Sequence, residues 1–356
     1  MSGQVPDTGP VDGASTSFCQ EGLEATDWGF MDSTETNAAT GLRDMGDGSP
    51  VDRVLLVGDV QRRPTRKGSD YLRLVVSDRT GRLPGVMWEP PTPIDSGPAL
   101  RVVGHISDHP RYGRQVVVSE LSRPEFGEVD FATLLAGPGE STATLERRLD
   151  HMIESLEDVP LGELLATMLG KAGSLRRRFV LATAAKYNHH AYPGGLLEHS
   201  LQIADSVDAA AEVYGDVDRD LVIAGALLHD IGKLDAYDED PIGADLTDRG
   251  RLEGEIPMGY FRVRREIEEI SSFPVERARA LLHIVLSHHG CLEHGSPVVP
   301  CTREAMLVHA MDKLSGSMGA FERLERETAD GETWSHYDHV LGASAWLPGP
   351  GSNEIP

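Results

Sequence analysis

The sequence predicts a multidomain chain of mixed α and β class, a small five-stranded β-barrel followed by an all-α domain. Three observations carry that prediction. Short β-rich runs broken by turn residues fill 51–124, apolar positions recur at helical spacing from about 140 to 342, and the charge changes sign between the two. Residues 51–124 carry twelve bases and eight acids, residues 1–50 one base and nine acids, and the remainder 20 bases and 40 acids. A formal net charge of −24 argues against nucleic-acid binding over most of the surface. It leaves the basic segment as the place where phosphate would be attracted.

Residues 1–48 are rich in Gly, Ser, Thr, Asp and Pro and show no apolar period, so they are expected to form a disordered acidic tail. Their start has neither a basic nor an apolar stretch, and no run of 18 apolar residues follows. No membrane partner and a cytoplasmic location are therefore expected. Cys19, Cys291 and Cys301 make no CxxC pair, which fits a reducing compartment.

The barrel reads strand by strand. The runs are Val54-Leu55-Leu56-Val57, Tyr71 to Val76, Gly85-Val86-Met87-Trp88, Leu100 to Ile106 and Gln115 to Val118. Asp78-Arg79-Thr80-Gly81 and Arg111-Tyr112-Gly113-Arg114 read as hairpin turns between them. Five strands in about 70 residues suit an OB-type barrel. Arg66 and Lys67 follow the first strand, Tyr71, Arg73 and Trp88 lie on strands, and Arg111, Tyr112 and Arg114 occupy the late hairpin. Bases stack on Tyr or Trp at about 1–3 kcal/mol each while arginines track phosphates, so these eight are candidate contacts to single-stranded RNA, with single-stranded DNA as the alternative.

After Pro124 the period changes. Leu145, Leu149, Met152, Ile153 and Leu156 share one helical face, and amphipathic segments follow near 160–170, 174–187, 195–214, 218–229, 256–271, 275–288 and 303–320. The run Arg176-Arg177-Arg178 reads as a solvated face. Residues 343–356 read as a second disordered tail.

Twelve of the fourteen histidines fall after the barrel, and several sit among residues that should be buried. His199 opens one helix, His229-Asp230 ends another, His288-His289 form a doublet, and Asp312 lies in an apolar context. Such groups are costly in a core unless paired with one another or with a cation. A shared divalent ion with imidazole and carboxylate ligands satisfies them together.

The ordered strings are Asn188-His189-His190-Ala191-Tyr192-Pro193-Gly194-Gly195-Leu196-Leu197-Glu198-His199, Leu227-Leu228-His229-Asp230-Ile231-Gly232-Lys233, Leu286-Ser287-His288-His289-Gly290, and Ala305 to Asp312. This set resembles the HD-domain phosphohydrolases. More closely it resembles the YhaM-type 3′-to-5′ exoribonuclease family, in which an OB domain precedes an all-α HD domain. The resemblance covers about residues 51–342. It implies that His199, His229, Asp230 and Asp312 are metal ligands, with Asp230 bridging when two ions bind. It implies that His288 and His289 complete a second metal site or touch the scissile phosphate, and that Lys233 faces that phosphate. Asp230, Lys233, His288 and His289 are thereby the expected catalytic residues. Glu255 stands where relatives often carry a histidine, which offers a carboxylate ligand in its place. Ser315 stands where a further acid is common.

The implied activity is metal-dependent hydrolysis of single-stranded RNA from its 3′ end to nucleoside monophosphates. One or two ions are expected, Mn²⁺ foremost, with Co²⁺, Fe²⁺ or Mg²⁺ as alternatives. A divalent ion lowers the pKa of a coordinated water and screens phosphoryl oxygens, so no protein nucleophile is required. Two rivals stand beside this reading: an HD phosphohydrolase of small nucleotides, and a non-catalytic single-strand-binding regulator whose HD domain is structural. Gly290-Cys291-Leu292-Glu293 lacks the Gly-Tyr-Pro of the cyclic-dinucleotide class. Glu255 and Ser315 support the regulator.

Overall fold

Period-two alternation builds the first domain: Leu72, Leu74 and Val76 are buried while Tyr71, Arg73 and Val75 between them are not. The computed structural model describes residues 40–65, 68–93, 95, 97–125, 128–135, 137–185, 190–239, 245–328 and 332–348. Arg66, Lys67, His189, residues 1–39 and 349–356 lie outside the described residues. Strands β1 (Pro50–Pro64), β2 (Asp70–Asp78), β3 (Gly81–Trp88), β4 (Ala99–His109) and β5 (Gly113–Ser122) close into a barrel in the order β1-β2-β3-β5-β4. All pairings are antiparallel except β3 with β5. Leu55, Leu72, Leu74, Val102, Ile106 and Val116 fill the interior. The five runs and both turns lie where the sequence places them.

The expected tail of 1–48 ends earlier than expected. Leu42–Asp44 form a short 3₁₀ turn, and Leu42 is fully buried in the barrel core. The Leu42 amide donates to Asp78 Oδ2 at 2.7 Å, and the Gly48 amide donates to the Ile106 carbonyl at 2.9 Å. Two apolar residues, Leu42 and Met45, anchor this stretch, too few to make a period in a polar sequence.

The second domain comprises α1 (Phe131–Leu134), α2 (Thr142–Glu154), α3 (Val159–Leu169), α4 (Arg176–Leu181), α5 (Gly195–Val213), α6 (Arg219–Leu228), α7 (Lys233–Ala236), α8 (Asp248–Glu253), α9 (Glu255–Glu269), α10 (Val275–Ser287) and α11 (Arg303–Glu327). Capping aspartates start α3 and α6: Asp158 accepts from the Leu161 amide and Asp218 from the Leu221 amide. Helix α4 stops at Leu181, short of the expected 187, because the carbonyls of Leu181 and Ala182 accept from Gly194 and Leu196 at the start of α5. Leu149, Leu165, Phe179, Leu201, Leu227 and Ile284 belong to one core that α5, α6, α10 and α11 share. Each of those four helices carries a candidate site residue at an end or along its inner face.

The domain also continues past 342. Strands β6 (Trp334–Asp338) and β7 (Ala343–Trp346) form an antiparallel hairpin, β6 within the span expected to be all-α and β7 within the expected tail. Asp338 accepts from the Val340 and Leu341 amides in its turn, and Arg323 of α11 donates to Asp338 at 2.5 Å. Two strands of five and four residues with little alternation give no periodic signal. Arg176-Arg177-Arg178 is only partly a solvated face: Arg176 pairs with Asp150 at 2.7 Å, and Arg178 with Asp235 at 3.2 Å and Glu239 at 2.9 Å. Among the described residues no helix is long and apolar enough to cross a membrane.

Candidate metal centre

Four segments converge on one buried point. Helix α5 brings His199, the turn after α6 brings His229 and Asp230, the turn after α10 brings His288 and His289, and α11 brings Asp312. His199, His229 and Asp312 offer ligand atoms all within 4.8 Å of one another, and so do Asp230, His288 and His289. His199 Nε2 lies 3.2 Å from His229 Nε2, 3.3 Å from Asp312 Oδ1 and 3.5 Å from Asp230 Oδ2. Asp230 Oδ2 lies 3.3 Å from His229 Nε2, and Asp230 Oδ1 lies 3.5 Å from His288 Nε2. Asp230 thus faces both groups, one oxygen to each.

The far side of each imidazole is anchored. His229 Nδ1 donates to the Ala226 carbonyl at 2.7 Å, His288 Nδ1 to Val285 at 2.8 Å and His289 Nδ1 to His294 at 2.8 Å. A proton fixed on Nδ1 leaves the Nε2 lone pair free to ligate. His199 is held differently: its Nδ1 lies 3.5 Å from Ser315 Oγ, which donates to Gln202 Oε1 at 3.2 Å. The serine that replaces an acid is therefore the group behind a ligand. Gln202 in turn lies 3.2 Å from His190 Nε2, whose ring also meets Tyr192 and Glu198. The latter three line a cavity of about 660 Å³ between the barrel and the helices, across from Asp78, Arg79 and Arg82.

The electrostatics suit a cation. Burial lowers the His199 pKa; at His229 burial acts the same way, but Asp230 and Asp312 outweigh it and raise the pKa. Burial would raise the Asp230 carboxyl, yet Lys233, His229 and His288 hold it well below its ordinary range. Asp312 is likewise held low, against burial, by His199 and His229. Asp230 Oδ1 and His288 Nε2 are both buried and without a hydrogen-bond partner. Two orphaned polar atoms facing each other beside four further convergent donors fit a divalent ion, because buried polar groups otherwise find partners.

Lys233 begins the single turn α7, and its ammonium donates to Asp230 Oδ2 at 2.7 Å. Glu255 begins α9 and lies 3.9 Å from His289 Nε2, at the rim and outside both ligand groups. Gly232 lets α9 come this close: a Cβ there would overlap the Glu255 carbonyl. A second cavity, of about 270 Å³, opens onto His199, Lys233 and Asp312. Arg323 borders both cavities, a role no sequence signal announces.

On the barrel, Tyr71 and Trp88 are cross-strand partners with ring centroids 5.2 Å apart, and Trp88 is 56% exposed. Arg73 is exposed two residues along the same outward row as Tyr71. The Arg111 guanidinium lies 5.6 Å above the Tyr112 ring, which is 64% exposed. Arg114 is half-buried, with its Nε enclosed and unpartnered. Strand register sets the Tyr71 and Trp88 pair beside the β1–β2 connection, and the Arg111 hairpin at the opposite end of the strands. The single basic segment of the sequence thus becomes two separate patches.

Comparison with known proteins follows the same outline. The HD domain family matches residues 196–317, the span from His199 through Asp312. The chain is 27% identical over 291 residues to the 3′-5′ exoribonuclease YhaM of Geobacillus sp. (strain WCH70), covering 80% of this chain and 88% of that protein. It is 28% identical over 303 residues to the 3′-5′ exoribonuclease YhaM of Bacillus velezensis, covering 80% and 90%. Each alignment is longer than the helical domain, so each takes in barrel residues as well.

Proposed function

We propose that this chain, which belongs to the YhaM-type family of OB-barrel and HD-domain proteins, is a metal-dependent 3′-to-5′ exoribonuclease that degrades single-stranded RNA to nucleoside monophosphates. The observation that carries the reading is the double ligand set around Asp230, with Asp230 Oδ1 and His288 Nε2 buried and orphaned between its halves.

His199, His229, Asp230 and Asp312 would hold one ion, and Asp230, His288 and His289 a second, with Glu255 beside His289. Mn²⁺ suits this mixture of imidazole and carboxylate, as do Co²⁺, Fe²⁺ and Mg²⁺ to differing degrees. A divalent ion held there supplies Lewis acidity at phosphorus and lowers the pKa of water. Lys233 neutralises Asp230 and presents its ammonium to the cavity, where it offsets charge building on the phosphoryl oxygens. The Ala226, Val285 and His294 carbonyls keep three imidazoles oriented through the cycle. Tyr71 and Trp88, together with Arg73 and the Arg111 hairpin, would hold the single strand by stacking and phosphate contact, with little regard to sequence.

The test is a 5′-labelled single-stranded RNA incubated with Mn²⁺ or with EDTA, beside an Asp230→Ala control. A ladder shortening from the 3′ end, present only with Mn²⁺ and absent in the control, is the expected result. RNA left intact under every divalent ion would overturn the reading in favour of a small-nucleotide hydrolase.

A further inference from the structure

Backbone orients three of the histidines at the candidate centre, but not His199. His229 and His288 each follow the last turn of a helix, where carbonyls lack an amide partner, and each gives its Nδ1 proton to one of them. His289 uses the loop carbonyl of His294. His199 stands in the second turn of α5, where the neighbouring carbonyls are spent on amides four residues further on. Its Nδ1 meets a side chain instead, Ser315 Oγ of α11 at 3.5 Å, and that hydroxyl donates to Oε1 of Gln202, one turn along α5 from His199. Gln202 Oε1 also lies 3.2 Å from Nε2 of the buried His190, whose ring is held by Glu198, and Glu198 accepts from the Gly139 amide at 2.7 Å.

We infer that Gln202 is a positioning residue for the metal centre: by taking the Ser315 proton it fixes which nitrogen of His199 is free to ligate. The inference rests on the metal-centre reading and adds to it a residue outside the ligand set. A serine hydroxyl has one proton and two lone pairs. With the proton given to Gln202, only lone pairs face His199 Nδ1, so that nitrogen must carry the imidazole proton. Nε2 then keeps the lone pair that points towards His229, Asp230 and Asp312. At 3.5 Å the contact is long, and what it supplies is direction rather than strength. Without an acceptor at position 202 the Ser315 proton turns to Nδ1, which sends the imidazole proton to Nε2, the atom an ion needs.

The test is Mn²⁺ calorimetry on the full chain carrying Gln202→Leu, Gln202→Glu, Ser315→Ala, or Gln202→Leu with Ser315→Ala. Gln202 is exposed, so leucine there should leave the melting temperature in EDTA at the parental value. Affinity for at least one Mn²⁺ should fall at least about tenfold in Gln202→Leu, the scale on which groups behind metal ligands act. Glutamate presents oxygen acceptors at the same reach, so Gln202→Glu should bind Mn²⁺ as tightly as the parent. Ser315→Ala alone should weaken binding, yet adding it to Gln202→Leu should cost nothing more, because a hydroxyl without its acceptor no longer orients the ring. Parental affinity in Gln202→Leu, a loss in Gln202→Glu as large as in Gln202→Leu, or losses that add in the double variant would overturn the assignment. Parent protein that binds no Mn²⁺ would instead overturn the metal-centre reading, and the role of Gln202 with it.

Discussion

Lys233→Met would remove the ammonium 2.7 Å from a carboxylate that is 2% exposed. Removing one partner of a buried ion pair costs about 3–5 kcal/mol because the other charge remains buried. Asp230 keeps His229 at 3.3 Å and His199 at 3.5 Å, which places the expected loss at the lower end, about 3 kcal/mol. For a domain of this size each kcal/mol moves the melting temperature by about 2–4 °C, so the metal-free variant should melt about 6–12 °C below the parent. Mn²⁺ should change that comparison. An ion on Asp230 supplies the positive charge the lysine no longer provides, so in saturating Mn²⁺ the deficit should shrink to less than half. Differential scanning fluorimetry of both proteins in EDTA and in Mn²⁺ gives all four numbers. A deficit of equal size in the two conditions would show that Lys233 and the ion do not answer the same charge, and no deficit in EDTA would show that Asp230 needs no neutralising partner.

The aromatic pair on the barrel gives a second prediction: Tyr71→Ala with Trp88→Ala should weaken single-stranded RNA binding by fluorescence anisotropy by about 1–3 kcal/mol per lost stack, while cleavage of a dinucleotide is spared. The third concerns acid. Burial would raise the Asp235 carboxyl, but Arg262 and Arg178 outweigh it and hold its folded pKa below the ordinary value, so it adds stability above about pH 4 that is lost as pH falls through the folded pKa. The stability gap between the parent and Asp235→Asn in urea titrations should be widest near neutral pH and should close below pH 4; a gap that does not narrow would refute the assignment.

What the sequence discloses follows from how local each determinant is. His199, His229-Asp230 and Asp312 are legible because a polar group set in an apolar run is costly, and that cost is visible in one dimension. Gly232 shows only in three: its backbone dihedrals are ordinary, and what demands glycine is the Glu255 carbonyl of α9 lying against it. Ser315 reads as a departure from a pattern until its hydroxyl is seen behind His199. The 334–346 hairpin carries no period, so Val340 and Arg323 could not be placed beside the centre. On the barrel, strand identity was legible but the spatial grouping was not. Tyr71 and Trp88 are joined by register, while the Arg111 hairpin is parted from them by it.

The short turn that seals the barrel has a consequence for the order of events during synthesis. Leu42 is held by Asp78, Gly48 by Ile106, and β1 pairs with β4 along Pro50 to Leu56. Leu42 finds its partner once β2 has been made, but Gly48 and the first half of β1 find theirs only when β4 has been made, and the barrel closes only when β5 has been made. β1 pairs early with β2 from Leu56 to Pro64, but until β4 is made its edge from Pro50 to Leu55 keeps unpaired backbone groups, the condition in which nascent strands are exposed to mispairing. In the helical domain that follows, α5 and α6 are packed neighbours close in sequence and can pair at once, while α11 joins both of them last.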